Sequence, residues 1–243
     1  MMATGILAAG CWRLARAPLR GFAVVTGQTA QIMRGGRLLF TAVLGLICTA
    51  CGGSLFESEA PVPSRYVIAA APAVQGLTTY AALNVDLSIG RPNVAPGVDT
   101  NRIAVLRGQQ LDYFRAAQWS GSVNEIVQAL LVSSFENQRL FHSVTAEQAR
   151  VSSDYLLDID VRDFQAEYRG GSVSPQIRVT LVGRVVRIAD RMLVDTIIAT
   201  AEQPAAANHM TSVAAAFEAA AQEAALELAR RTARAIAGGG ENQ

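Results

Sequence analysis

Few side chains in this 243-residue chain have the type and spacing that catalysis requires. The two histidines, His142 and His209, lie far apart in sequence, and neither has a second histidine or a cysteine at the spacing of a metal site. No nucleophile elbow, phosphate-binding loop or dinucleotide-binding fingerprint occurs. His142 lies in a strand-like stretch, where we expect it to be satisfied by a neighbour. The sequence predicts a protein that is not an enzyme and that holds no metal.

Three aspartates, Asp158, Asp160 and Asp163, form a cluster that acid–base or calcium chemistry could use. Asp158 and Asp160, however, alternate with apolar residues in a period of two, which is typical of the solvated face of a strand. Three arginines lie in the hairpin that follows: Arg178, Arg184 and Arg187. Cross-strand pairs of opposite charge contribute about 0.2 to 1 kcal/mol each. We therefore interpret these aspartates as a solvated strand face.

One cysteine has a context that indicates a covalent modification. Arg34 and Arg37 precede an unbroken run of thirteen uncharged, mostly apolar residues, 38–50, and Cys51 follows directly. A basic segment before such a run is a secretory signal, and the run is shorter than the about 20 apolar residues that span a bilayer. Small residues, Thr49 and Ala50, come just before Cys51. The segment resembles the lipobox of bacterial lipoproteins, in which the cysteine is acylated and becomes the mature amino terminus.

This resemblance implies that residues 33–50 are a lipoprotein signal peptide cleaved between Ala50 and Cys51. Residues 1–32 would then be a mis-assigned translation start or an extended basic n-region. We expect no cofactor beyond the covalent diacylglycerol and N-acyl chain on Cys51. The alternative is that Cys51 is an ordinary small hydrophobe in a retained anchor or a buried helix. Gly and Ser at 52–54 favour lipidation, because a flexible tether frees a folded domain from the membrane.

The rest of the chain has the composition of a globular domain. The sequence is 51% hydrophobic and 17% charged with a net charge of +1, which excludes a disordered chain and a basic nucleic-acid-binding chain. Residues 51–64 contain Pro61 and Pro63 without periodicity and are predicted to be a tether. We assign 65–237 to one periplasmic domain and 238–243 to a flexible tail.

Hydrophobic periodicity predicts the elements of this domain. Ser122 and Glu125 form a capping box before an amphipathic helix, and 212–237 is an alanine-rich helix. In the strand 155–168 the inward-facing set changes parity, which predicts a β-bulge near Arg162 and Asp163. The other predicted strands are 65–69, 83–89, 102–106, 110–114, 140–144, 176–188 and 192–202. This order predicts an α+β fold with a mainly antiparallel sheet and two helices packed on one face.

The order of these motifs resembles a known family. Its parts are Tyr66-Val67-Ile68, the strand Gln110–Phe114 leading to Trp119, a helix directly behind it, the strand from Tyr155 closing in Asp163-Phe164, a long hairpin and an alanine-rich last helix. This order is similar to that of the ABC-type transport auxiliary lipoproteins, a PqiC-like group. The family often has a proline pair after the tryptophan, whereas this chain has Ser120-Gly121-Ser122.

The resemblance implies a domain similar to the amino-terminal domain of TolB, anchored by lipid to the periplasmic face of the outer membrane. Its partners would be the MCE-domain protein, permease and ATPase of an ABC transporter that moves phospholipids or related amphiphiles between the two membranes. We expect no nucleic-acid partner, and the sequence leaves open whether the protein forms a homo-oligomer. Trp119, Tyr113 and Phe114 are the candidate partner interface; the alternative for Trp119 is that it packs at the sheet edge. The alternative function is a lipoprotein activator of a peptidoglycan synthase.

Overall fold

A computed structural model describes residues 62–73 and 82–239 of the chain. The predicted signal peptide, Cys51 and most of the predicted tether lie outside the described residues. Within the described part, the α+β class is confirmed: nine strands form one sheet, and two α-helices pack on it.

Most strands lie where the periodicity predicted them. The nine strands are β1 (Ser64–Tyr66), β2 (Leu83–Ile89), β3 (Asn93–Val94), β4 (Arg102–Arg107), β5 (Gln110–Trp119), β6 (Phe141–Ala146), β7 (Tyr155–Tyr168), β8 (Gln176–Arg187) and β9 (Met192–Pro204). However, β1 ends at Tyr66, before the predicted residue 69, β5 continues five residues past the predicted residue 114, and β3 was not predicted. The helices are α1 (Val123–Gln138) and α2 (Met210–Gly239), and a short 3₁₀ turn spans Glu147–Ala149. The last helix therefore continues to Gly239, past the predicted end at residue 237.

Strand β7 is the centre of the sheet. It pairs antiparallel with β8 along almost its whole length, and β8 pairs antiparallel with β9. On its other side, β7 pairs parallel with β2 near its amino end, with the short β3, and with β4 near its carboxyl end. Beyond these, β6 is parallel to β2, β5 is antiparallel to β4, and β1 is parallel to β5. The sheet is thus mixed, and its two longest pairings are antiparallel.

The local signals in the sequence correspond to observed features. The register between β7 and β8 shifts between Val161 and Asp163, which confirms the bulge. At the start of α1, the Glu125 carboxylate accepts a hydrogen bond from the backbone N–H of Ser122 at 3.1 Å, as a capping box requires. Hydrogen bonds from Ser122 lower the pKa of Glu125 below its ordinary value. The helix begins where the sequence predicted.

The core lies between the sheet and the two helices. Each helix buries the apolar stripe that its sequence predicted, including Phe135 of α1 and Phe217 of α2, both fully buried. The alanine face of α2 lets this helix lie close to β8. At Gly183 of β8, an added Cβ would come within 2.8 Å of a Leu228 methyl and 2.9 Å of a Leu157 methyl. A side chain at this position would therefore force the two buried leucine side chains to shift.

The length of α2 raises the question of a membrane span, since 30 residues of helix extend about 45 Å. Within residues 62–73 and 82–239, neither this helix nor the other has the length and apolar character to cross a bilayer.

Candidate functional site

An extended strap, defined as residues 67–73, follows β1 and crosses both helices. On α2, the Glu218 carboxylate accepts from the backbone N–H of Ala69 at 3.1 Å, and the Gln222 side-chain amide donates to the Ala69 carbonyl at 3.0 Å. On α1, the Ser134 hydroxyl accepts from the N–H of Ala71 at 2.9 Å. Ala71 itself is fully buried. The strap thus runs in a track of polar helix side chains that bond to its backbone.

Two further α1 side chains complete the track. Asn137 donates to the Ala71 carbonyl and Gln138 to the Pro72 carbonyl, each at 2.9 Å. Each such bond contributes about 0.5 to 1.5 kcal/mol net. Sequence reasoning missed these residues, since polar residues on a helix do not reveal which segment lies against them.

Trp119 is a core residue. Its side chain is 1% exposed and packs edge-on against Phe217 at 5.0 Å and Phe164 at 5.8 Å between ring centroids. The ring joins β5 to β7 and α2, and it presents no surface to a partner. The sequence left two interpretations of Trp119 open, a partner-facing residue and a packed one. The burial of the side chain corrects the first and agrees with the second.

Tyr113 and Phe114 are only half-buried and stay accessible on β5. The Tyr113 hydroxyl donates to the carbonyl of Gly97 at 2.7 Å, and the Arg102 guanidinium lies 3.8 Å from the centre of its ring. Such a cation over an aromatic face contributes about 0.5 to 1 kcal/mol at an exposed site. Phe114 packs against the margin of the core. Of the three aromatic residues proposed for an interface, these two offer a surface.

His142 lies beside an aspartate and a serine, but the three do not form a catalytic triad. Asp86 Oδ1 accepts from the Ser143 hydroxyl at 2.6 Å and lies 2.8 Å from His142 Nδ1. In a triad the histidine lies between the acid and the nucleophile, whereas here both neighbours bond the same carboxylate oxygen. Hydrogen bonds from Ser143 and then His142 lower the pKa of Asp86 below its ordinary value. The arrangement is that of a strand histidine satisfied by a neighbour.

The aspartates of β7 are paired with arginine or amide groups. Arg184 bonds Asp158 at 2.7 Å and also bonds Asp160, and its pKa is raised by these hydrogen bonds. Asp163 instead accepts from the side-chain amide of Gln165 at 3.1 Å. Among the described residues there is no group of three or more His, Cys, Asp or Glu side chains that could hold a metal ion. The aspartates thus form a solvated strand face.

Further along the same sheet face lies a second ion-pair cluster. Arg178 bridges Glu167 of β7 and Glu202 of β9, and Arg169 pairs with the same two glutamates. These contacts tie the three strands β7, β8 and β9 together. Each of the four charged side chains in this cluster thus has an ion-pair partner within the protein.

The similarity to known proteins extends over most of the folded domain. A family model described as the ABC-type transport auxiliary lipoprotein component matches residues 66–229. An uncharacterized protein of Bradyrhizobium diazoefficiens is 28% identical over 159 residues, which cover 63% of this chain and 41% of that protein. The chain therefore spans less than half the length of this relative.

Solved structures share the fold. A protein of Xanthomonas campestris superposes with a TM-score of 0.67 at 23% identity, covering 74% of this chain and 100% of the other. A second, uncharacterized protein superposes with a TM-score of 0.55 at 14% identity, covering 70% of this chain and 98% of the other.

Proposed function

Because the chain belongs to the family of ABC-type transport auxiliary lipoprotein components, we propose that it is an outer-membrane-anchored periplasmic lipoprotein that serves a transporter of the MCE type. The transporter would move phospholipids or related amphiphiles between the inner and outer membranes. Its other components would be an MCE-domain protein, a permease and an ATPase. This chain would contribute no catalysis and no ATP site.

The observation that carries the proposal is the extent of the family match together with the lipobox pattern. The match begins at residue 66, inside β1, and runs into α2, so it covers the folded domain. Cys51 precedes β1 by a short tether. A flexible chain of that length reaches about 20 Å, from 5–6 Å times the square root of the residue number. A domain held so near one membrane meets a partner that spans the gap as an effectively intramolecular event.

The side-chain chemistry supports docking over catalysis. The carboxylates of β7 are engaged by arginines or amides, and the one histidine beside a serine and an aspartate lacks the order of a triad. The strap that follows β1 is hydrogen-bonded to both helices. An anchored, well-braced module suits an auxiliary component whose task is to hold a position.

Affinity capture from native membranes tests the proposal. We expect the carboxyl-terminally tagged protein, solubilised in mild detergent, to return the MCE-domain protein, the permease or the ATPase. Cys51→Ala should abolish this recovery by preventing lipidation, whereas the matched variant Cys11→Ala, changed outside the lipobox, should keep it. Recovery of penicillin-binding proteins in place of transporter components would favour the peptidoglycan-synthase alternative and overturn the proposal.

A further inference from the structure

Strand β5 carries an irregularity at its middle. Between the pairs Ala104–Tyr113 and Arg102–Gln118, β5 advances five residues while β4 advances two. Within this bulge Ala116 has a φ of 53°, a left-handed conformation that costs a non-glycine residue about 1–3 kcal/mol. Bulges re-aim side chains and are over-represented next to functional sites. The effect here is to expose Arg115 and Ala116 on the outside of the sheet.

The same stretch is a free sheet edge. Strand β1 pairs only with Ala117–Trp119 of β5, so the outer edge from Gln110 to Ala116 has no neighbouring strand among the described residues. A free edge presents backbone N–H and C=O groups to which an extended segment of another protein can add.

Beside this edge lies a groove of about 350 Å³, lined by Val105, Arg107, Asp112, Tyr113, Phe114 and Arg115. Arg107 and Arg115 are exposed, and neither has an ion-pair partner in the part of the chain that the structure describes. The Arg107 guanidinium is held in place 4.3 Å from the centre of the Tyr168 ring. The one acid of the groove, Asp112, accepts from Gln110 at 3.0 Å. The groove thus combines an excess of positive charge with the half-buried Phe114.

From these features we propose that the edge of β5 and this groove are a docking site for an acidic, extended segment of a transporter component. The backbone of the segment would pair with the edge, its carboxylates would meet Arg107 and Arg115, and an apolar side chain would contact Phe114. Guanidinium groups bind carboxylates in a bidentate manner, which fixes the register of the segment. The inference rests on the proposed function, because that function supplies the partner.

The structure favours a peptide over a lipid surface as the occupant. None of the strongly exposed large hydrophobic residues of the described chain is on β4 or β5; Met192 and Leu193, for example, are on β9. A surface that enters a bilayer needs protruding apolar side chains of this kind. The β5 site instead offers a concave groove, two guanidinium groups and backbone hydrogen bonds.

Photo-crosslinking in the native host tests the site. Benzoylphenylalanine replaces Gln110, which is exposed and lies in register with Arg107. The control position is Met192 of β9, which is also exposed but lies far from the groove. Arg107 pairs with Tyr168 at the carboxyl end of β7, whereas Met192 pairs with Arg187, which in turn pairs with Tyr155 at the amino end of β7. We expect position 110, and not position 192, to give an adduct whose crosslinked peptide is an acidic periplasmic segment of the MCE-domain protein or of the permease.

Charge variants sharpen the result. R107E/R115E should lower the adduct yield at least tenfold, and R107Q/R115Q, which removes the charge, should also lower it. R107K/R115K keeps the charge but loses the bidentate geometry, so it should give an intermediate yield. R162E/R234E is the matched control, since both arginines are exposed outside the groove, and it should leave the yield unchanged. Thermal unfolding of each variant verifies folding, and the neutral R107Q/R115Q pair keeps the test valid if the reversed pair is unstable.

Three outcomes overturn the site: no adduct at position 110, an adduct whose yield survives charge reversal, or an adduct with lipid. If affinity capture still returns transporter components in any of these cases, the docking site alone fails and the proposed function stands. If capture returns none, the proposed function fails as well.

Discussion

Replacing Trp119 separates a structural role from an interface role. The indole is 1% exposed and touches Phe164 and Phe217. Truncating such an aromatic residue to alanine costs about 3–5 kcal/mol, and in a domain of this size each kcal/mol shifts Tm by about 2–4 °C. We therefore expect W119A to lower the Tm by about 6–20 °C.

The conservative variant W119F has a different expectation. The indole Nε1 is buried without a hydrogen-bond partner among the described residues, so replacing it by a phenyl ring removes no hydrogen bond. It keeps a ring for Phe164 and Phe217 to pack against. The loss should be about 1 kcal/mol, within the range for a volume-changing but apolar substitution.

The assay is thermal unfolding of the lipidated protein in detergent, followed by near-ultraviolet circular dichroism, with affinity capture in parallel. W119F should capture transporter components as well as the wild type does. F114A, at the half-buried margin, is the matched control: it should change Tm less than W119A does and should weaken capture. A W119A protein with an unchanged Tm and lost capture would refute the assignment of this residue to the core.

Three further predictions concern the strap, the close helix contact and acid stability. S134A and Q222A should each lower stability by about 1 kcal/mol, because each removes a partner of the strap backbone; an unchanged Tm in the double variant would show that the strap is not held there. G183A should lower the free energy of unfolding by about 1–3 kcal/mol, because the added methyl overlaps Leu228 and Leu157. The control is G108A, at a turn where no atom lies within 4 Å of the added methyl; it should lower the free energy of unfolding less, despite the positive φ of Gly108. The lowered pKa of Asp86 contributes stability that is present above the ordinary value of 3.8 and is lost as the pH falls through the folded pKa; H142A/S143A should therefore lose less Tm than the wild type between pH 6 and pH 3, and equal losses would contradict the role of those two hydrogen bonds.

Local patterns in the sequence were sufficient for most elements. The period-two alternation of β2, the capping box before α1 and the parity change in β7 each depend on neighbouring residues, and each is seen where it was expected. The parallel pairings were not visible in this way. Strand β2 pairs with β6 and β7, which are distant in sequence, and no local signal specifies such partners.

The site was harder to predict because the role of its residues depends on contacts with elements that are distant in sequence. Trp119 was singled out for its type, but its burial depends on Phe164 and Phe217, which come from distant elements. The strap is held by polar helix residues whose type is common on any solvated helix face. The bulge that exposes Arg115 lies in β5, where the sequence shows no glycine at the left-handed position, Ala116.

Intact-mass measurement of the membrane-extracted protein tests the central claim, a lipid-anchored auxiliary module, most directly. We expect a mature chain that begins at Cys51 and carries the added mass of a diacylglycerol and an N-acyl chain. A water-soluble product that retains residues 33–50 and an unmodified thiol at Cys51 would contradict it.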